Sequence, residues 1–145
     1  KAAIKSDREA KRKERAKTAA MRHKLETIPE LTKKAQAAFN RYIRLRDRGK
    51  PCISCGAPWK DNFQACHYVP AGRSNKLRFD EDNVHGGCVR CNLYGNLRGY
   101  RIGLIERIGV ERVEQLETDH EARKWTKEEL RELAAEYRMK VREIE

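Results

Sequence analysis

C-I-S-C at residues 52–55 and C-V-R-C-N at residues 88–92 bracket the stretch that decides how this chain folds, with A-C-H-Y-V (65–69) and D-N-V-H (82–85) between them. The two Cys-x-x-Cys pairs stand 32 residues apart. Thiolates three positions apart can hold one ion from a tight turn, so Cys52, Cys55, Cys88 and Cys91 match a tetrahedral structural zinc site with every position filled. Two disulfides, or four buried core cysteines, are the competing readings. A disulfide framework needs an oxidising compartment, and nothing in the sequence points to export. Zinc is the expectation.

Inside that loop, Gln64 to Val69 reads as a strand, and Pro70-Ala71-Gly72 turns the chain. Arg73, Lys76 and Arg78 then sit among Ser and Asn, a composition suited to gripping DNA phosphates and equally to an ordinary charged surface. Asp80 to Asn83 are turn residues. Gly86-Gly87 lets the backbone wrap into the second cysteine pair.

Helices flank the loop on both sides. Upstream, Thr27 with Glu30 forms a capping box and Pro29 suits a first turn. Leu31, Ala35, Ala38, Tyr42 and Leu45, joined by Phe39 and Ile43, give an apolar stripe that ends at Gly49. Arg41, Arg44, Arg46 and Arg48 read as a solvated face by default, with contact to DNA as the alternative. Downstream, residues 100–108 form a short helix stopped by Gly109, followed by a turn or two carrying Val110, Val113 and Leu116. Thr126 with Glu129 caps a last helix whose face is Leu130, Leu133, Ala134, Tyr137, Val141 and Ile144. That stripe packs on the loop module or serves as the seam of a homodimer. Trp125 reads as a core anchor.

Ahead of all this, residues 1–26 read as a basic, Ala-rich helical arm, opened by a capping box of Ser6 and Glu9. Six excess positive charges and almost no apolar side chain but Ala leave it little to bury. It is either a solvated linker or a phosphate-tracking arm. The rest, residues 27–145, is one domain: a helix (27–49), the four-cysteine module (50–98) and C-terminal helices (99–145). The fold class is α+β, mostly helical, with a zinc-stapled module flanked by helices.

Composition narrows the partners. The chain has 145 residues and a net charge of +11, with a pI near 9.6 and a mean hydropathy of −0.93. Such a balance points to a polyanion, nucleic acid first. Aromatics make up 7% of the residues, so the core is thin and a metal staple would help to fix it. No apolar run approaches the ~20 residues of a membrane span. Reduced thiols without an export signal suggest the cytoplasm, that of a bacterial host if the chain is phage-encoded.

An imidazole following a cysteine knuckle, then an Asn, then a Cys pair running into Asn, is the order found in ββα-metal (HNH, His-Me finger) nucleases. The region resembles the phage endonuclease VII type of Holliday-junction resolvase. From about Leu31 onward the chain is similar to the phage lambda NinG (Rap) recombination family. The residues that carry the likeness are R-D-R-G-K-P-C-I-S-C-G (46–56), H-Y (67–68), L-R-F-D-E-D-N-V-H (77–85), C-V-R-C-N (88–92), G-N-L (95–97), and R-I-G followed by K-W-T (124–126). The resemblance implies a hairpin presenting a histidine and a following helix presenting a metal ligand. It also implies an endonuclease that cuts branched recombination intermediates, a Holliday junction or D-loop, by metal-dependent phosphodiester hydrolysis.

On that reading His67 is the general base, because an imidazole titrates near working pH and can take a proton from water. Asn83 fixes the hairpin loop, and Asn92 ligates a catalytic Mg²⁺ or Mn²⁺. The chain departs from the pattern in three places. Cys66 stands before the histidine, where an HNH enzyme often has Asp. Gln64 stands where the lambda family carries an acid. No histidine follows in the helix after Cys91. Asn92, Asn96, His85 and water could make a weak metal site, with Asp80 or Asp82 in reach; for His85 alone, a structural or phosphate contact is an equal reading. Cys66 reads as a buried thiol, and His23 and His120 as surface or packing residues. The alternative function is a non-catalytic zinc module that binds branched DNA or RNA.

Overall fold

Two four-residue strands lie at the centre of the fold. β1 (Gln64–His67) and β2 (Val84–Gly87) pair antiparallel, with Cys66 opposite His85 and His67 opposite Val84. The computed structural model describes residues 1–145, and the chain has six helices: α1 (Ala2–Leu25), α2 (Ile28–Arg46), α3 (Val89–Tyr94), α4 (Leu97–Ile108), α5 (Val110–Thr118) and α6 (Lys127–Ile144). A 3₁₀ turn, Leu77–Phe79, interrupts the loop between the strands.

Because strand side chains alternate, the hairpin separates two small cores. On one face Val84 joins Leu31, Ala35, Phe39 and Ile43 of α2 and Leu130, Ala134 and Tyr137 of α6. Phe39 meets the Tyr137 ring edge-on at 4.8 Å. The other face places Cys66 against Ile53, Tyr100, Leu104, Val113 and Leu116. Tyr100 locks this second core to both strands by donating its hydroxyl to the carbonyls of Cys66 (2.6 Å) and Asn83 (3.3 Å).

The capping boxes at Thr27 and Thr126 form, each with its glutamate reaching back to the cap N–H. Ser6 and Glu9 do not open a helix, since α1 already runs from Ala2. The second helix stops at Arg46, three residues short of Gly49, because Asp47 caps it and turns inward. Residues 97–99 belong to α4, begun by the Asn96 side chain accepting from Gly99 N–H at 3.1 Å. The stripe of α6 is spent on α2, leaving Met139 and Ile144 exposed. Leu130, Ala134 and Tyr137 are thus buried within the chain, and of the stripe only Ile144 stays exposed. Trp125 is half-buried at the rim of the first core and donates its indole N–H to the Asn75 carbonyl at 2.9 Å.

Helix α4 lies directly on the first cysteine knuckle. A Cβ at Gly99 would run into the Ser54 carbonyl, and one at Gly103 into the Ile53 carbonyl. The knuckle also joins the sheet, since Ile53 N–H donates to the Gly86 carbonyl at 3.2 Å.

Candidate metal centre and hairpin site

The four cysteine sulfurs lie within 4.8 Å of one another. Cys52 comes from the knuckle before β1, while Cys88 and Cys91 cap and enter α3, so the cluster closes a loop around the hairpin. Sγ of Cys55 and Sγ of Cys88 are 3.8 Å apart. A tetrahedral ion with ~2.3 Å bonds to sulfur sets its ligands about 3.8 Å apart, whereas a disulfide needs about 2 Å. The donor set fits zinc.

The local electrostatics agree. Burial works against ionising Cys52, yet the N–H groups of Cys55, Cys88 and Ser54 draw its thiol down to about 7. Cys91 is pushed up to about 12 by burial and by the neighbouring Cys88 and Cys55 thiols. Thiolates this crowded need a cation between them. Cys66 is not part of the set. Burial, then the Cys52 and Cys88 sulfurs, push it up to about 12. Its Sγ lies 2.7 Å from where a Cβ on Gly87 would be, so Gly87 makes room for an inert thiol.

Beside this centre the hairpin presents two polar groups on opposite faces. On the α3 face, the exposed Asn92 amide donates to Oε1 of Gln64 at 2.5 Å. On the α2 face, Nε2 of the half-buried His67 lies 3.1 Å from the Arg78 carbonyl, with the Gln36 amide nitrogen 3.5 Å away. Burial holds the His67 imidazole below its ordinary value, the Arg78 charge adding to this and the carbonyl bond opposing it. Fully buried Asn83 ties the loop together. It accepts from Val69 N–H (2.9 Å) and donates to the carbonyls of Val69 (3.0 Å) and Leu77 (3.1 Å).

The set Asn92, Asn96 and His85 does not form one site. Asn96 is occupied as the cap of α4, its amide nitrogen 3.9 Å from Cys91 Sγ. His85 is buried, with Nε2 on the Asp82 carbonyl (3.0 Å) and Nδ1 3.3 Å from both Arg46 and Arg107. Burial, then the Arg46 charge, lower it to about 4. Asp80 and Asp82 are both taken by Arg112, at 2.8 and 2.9 Å. Of the residues offered for a catalytic divalent ion, only the neutral amide of Asn92 is left, and it is bonded to the neutral amide of Gln64. A hard ion takes carboxylates or phosphates, so the chain by itself does not fit Mg²⁺ or Mn²⁺.

Of the loop cations, Lys76 is neutralised by Asp119 (2.7 Å) and Glu121 (3.0 Å), and Arg78 has a buried Nε without a partner. Arg73 alone is exposed and unpaired there. Free cations lie elsewhere: Arg44 on α2, Arg48 in the turn after it, and Arg138 and Arg142 on α6. Arg138 and Arg142 line a cleft of about 450 Å³ between those helices.

Sequence reasoning missed the knot that joins the two halves. Asp47, 3% exposed, accepts from Gly86 N–H at 2.8 Å, receives Arg46 at 2.8 Å and lies 3.6 Å from Arg107 of α4. Burial alone would raise its carboxyl, but the Arg46 and Gly86 bonds bring it below the usual value. Arg46, expected in solvent, instead turns inward to the Glu81 and Val84 carbonyls. An Arg-Asp pair at a helix end carries no sign of this in sequence.

A hairpin joined to a short helix beside four clustered cysteines able to hold a metal ion, with helices on both sides, defines a small, mostly helical α+β protein. The chain belongs to the NinG family: the family model described as Bacteriophage Lambda NinG protein matches residues 1–145. It is 46% identical over 114 residues to Protein ninG of Salmonella phage P22, covering 77% of this chain and 56% of that protein. Against Protein ninG of Escherichia phage 933W it is also 46% identical, covering 77% and 57%. For Escherichia phage lambda the figures are 45%, 77% and 56%. The chain thus spans little more than half the length of the relatives it matches. No solved structure matches it. No helix is long and apolar enough to cross a membrane.

Proposed function

We propose that this chain is a DNA endonuclease of the HNH type that cuts branched recombination intermediates, with His67 as the base. The observation that carries this reading is the bond between His67 Nε2 and the Arg78 carbonyl. A carbonyl only accepts, so Nε2 must donate, and the neutral ring keeps the lone pair of Nδ1 for a water proton. The β1–β2–α3 order and the Asn83 clamp on the loop support it. In the hydrolysis, water loses a proton to His67 Nδ1 and its oxygen bonds to phosphorus. The phosphorus–O3′ bond then breaks, and the departing oxygen takes a proton from solvent.

A second reading has an observation of its own. Gln64 and Asn92 bond to each other, without a carboxylate, at the edge where the resemblance expects a metal ligand. That arrangement favours a module that binds branched DNA or RNA without cutting it.

Incubating the protein with Mg²⁺ or Mn²⁺ and a labelled four-way junction, beside a linear duplex of the same sequence, separates the two. Junction cleavage that disappears in His67→Ala supports the nuclease. Junction binding without cleavage by the wild type favours the second reading. Binding to neither DNA removes both.

A further inference from the structure

Between Cys91 and Arg98 the chain does something unusual for so polar a protein. Leu93, Tyr94 and Leu97 are 69%, 79% and 66% exposed, within five residues across the α3–α4 corner. Scattered exposed apolar side chains are normal, but three large ones clustered at one corner mark an interaction surface. Their backbone is firmly placed. Cys88 and Cys91 sit one turn behind, Gly95 turns the chain at φ 81°, and Asn96 starts α4. Leu93 also follows Asn92 directly, so the corner continues the candidate site.

The charges around the corner identify its partner. No Asp or Glu occurs from Asn83 to Ile105. Arg90 and Arg98, one on each side of the apolar trio, are exposed and have no acid partner, whereas Arg101 is held by Glu117 at 2.9 Å. Leu97 also borders a pocket lined by Glu117 and Asp119, but those carboxylates are held by Arg101 and by Lys76 at 2.7 Å. A second copy of this chain docked here would therefore bring Arg90 and Arg98 together with no free acid to offset them. An apolar tip flanked by unpaired guanidiniums suits a nucleic acid whose bases are accessible, with phosphates on either side. A continuous duplex hides its bases. A branch point does not.

The geometry points to Leu93, Tyr94 and Leu97 as a wedge that enters the opening of a DNA branch and stacks on its unpaired or unstacked bases, so that branched DNA is preferred to linear duplex. This rests on the branched-DNA reading above and adds the residues that would make the selection.

The test uses the full chain, zinc-loaded, in Ca²⁺ buffer without chelator, and reads binding alone. Four-way junctions carry 2-aminopurine either at the branch or within an arm, and a linear duplex serves as reference. Wild-type protein should change the fluorescence of the branch probe and leave the arm probe unmoved. Leu93→Ser with Tyr94→Ala should lose the branch signal and weaken junction binding about tenfold or more, with duplex binding within about twofold. Tyr94→Trp should restore the signal. Unchanged zinc content and thermal midpoint confirm that the variants fold. Equal losses on junction and duplex, no loss on either, or a wild-type dimer that the variants dissolve would each overturn the wedge. Since cleavage is not read, a protein that never cuts DNA sinks the nuclease reading alone, and one that cuts while failing here sinks only the wedge.

Discussion

Nε2 of His67 donates to the carbonyl oxygen of Arg78 across 3.1 Å. That contact decides which ring nitrogen can act as a base. Replacing His67 by Ala should lower junction cleavage by about 10²–10⁴-fold and leave junction binding near wild type, because a base acts on the transition state more than on the bound substrate. Burial places this imidazole below its usual range, so cleavage should hold at neutral pH and fade only as pH falls through the lowered value. A rate profile with its acid limb above pH 6.5 would contradict the assignment.

The cysteine cluster should carry one zinc per chain, measurable by elemental analysis of protein purified without chelator. Cys52→Ser should release both knuckles together and, with them, the seat of α4. Structural zinc sites supply on the order of 10 kcal/mol of folding free energy, comparable to the whole stability of a domain. Loss of folded protein, seen by circular dichroism and proteolysis, is the expected result. A folded, zinc-free variant would show that the cluster is not structural.

His85 gives the fold a pH dependence of its own. Its folded-state value, about 4, lies below the 6.5 of the free side chain. The unfolded chain therefore takes up a proton that the folded chain refuses. Stability is full above pH 6.5 and declines as pH falls toward 4, by about 3 kcal/mol at most. Urea unfolding across this range, wild type against His85→Gln, isolates the effect from acid release of zinc. Parallel pH curves for the two would rule it out.

Gln64 faces Asn92 with an amide where an ion would need charge. Gln64→Glu should lower the Mg²⁺ concentration giving half-maximal cleavage by about tenfold, since a carboxylate on this edge supplies the missing hard ligand. An unchanged metal requirement would place any ion elsewhere.

The arm can be tested by salt. Each phosphate it neutralises adds roughly −0.9 to the slope of log affinity against log salt. Removing residues 1–21 should flatten that slope and weaken junction and duplex together. A slope that stays the same would make the arm a linker.

What could be read in the sequence was whatever local chemistry repeats. Paired cysteines at fixed spacing, capping boxes at Thr27 and Thr126, and the stripes of α2 and α6 all announce themselves within a few residues. The strand at Val84–Gly87 did not, because two glycines and a histidine lack strand character and pair only in the company of β1, Asp47 and Ile53. The burial of His85 was hidden for a related reason. Beyond the Asp82 carbonyl three residues back, its surroundings come from α2 and α4, 39 and 22 residues away along the chain. Lys76 looked free because its acids, Asp119 and Glu121, lie beyond α5.

Helix α1 has 24 residues and buries none of them. Its C-terminal end is rooted, where Arg131 takes the His23 carbonyl and Lys34 takes Glu26. At 1.5 Å per residue it reaches about 36 Å, close to one full turn of B-form DNA. Laid along one arm of a junction, it would make the protected footprint a matter of helix length, not of the girth of the globular body. Each residue deleted from within α1 would draw the boundary of that footprint inward by about 1.5 Å, so a nested set of internal deletions doubles as a ruler for where the protein sits.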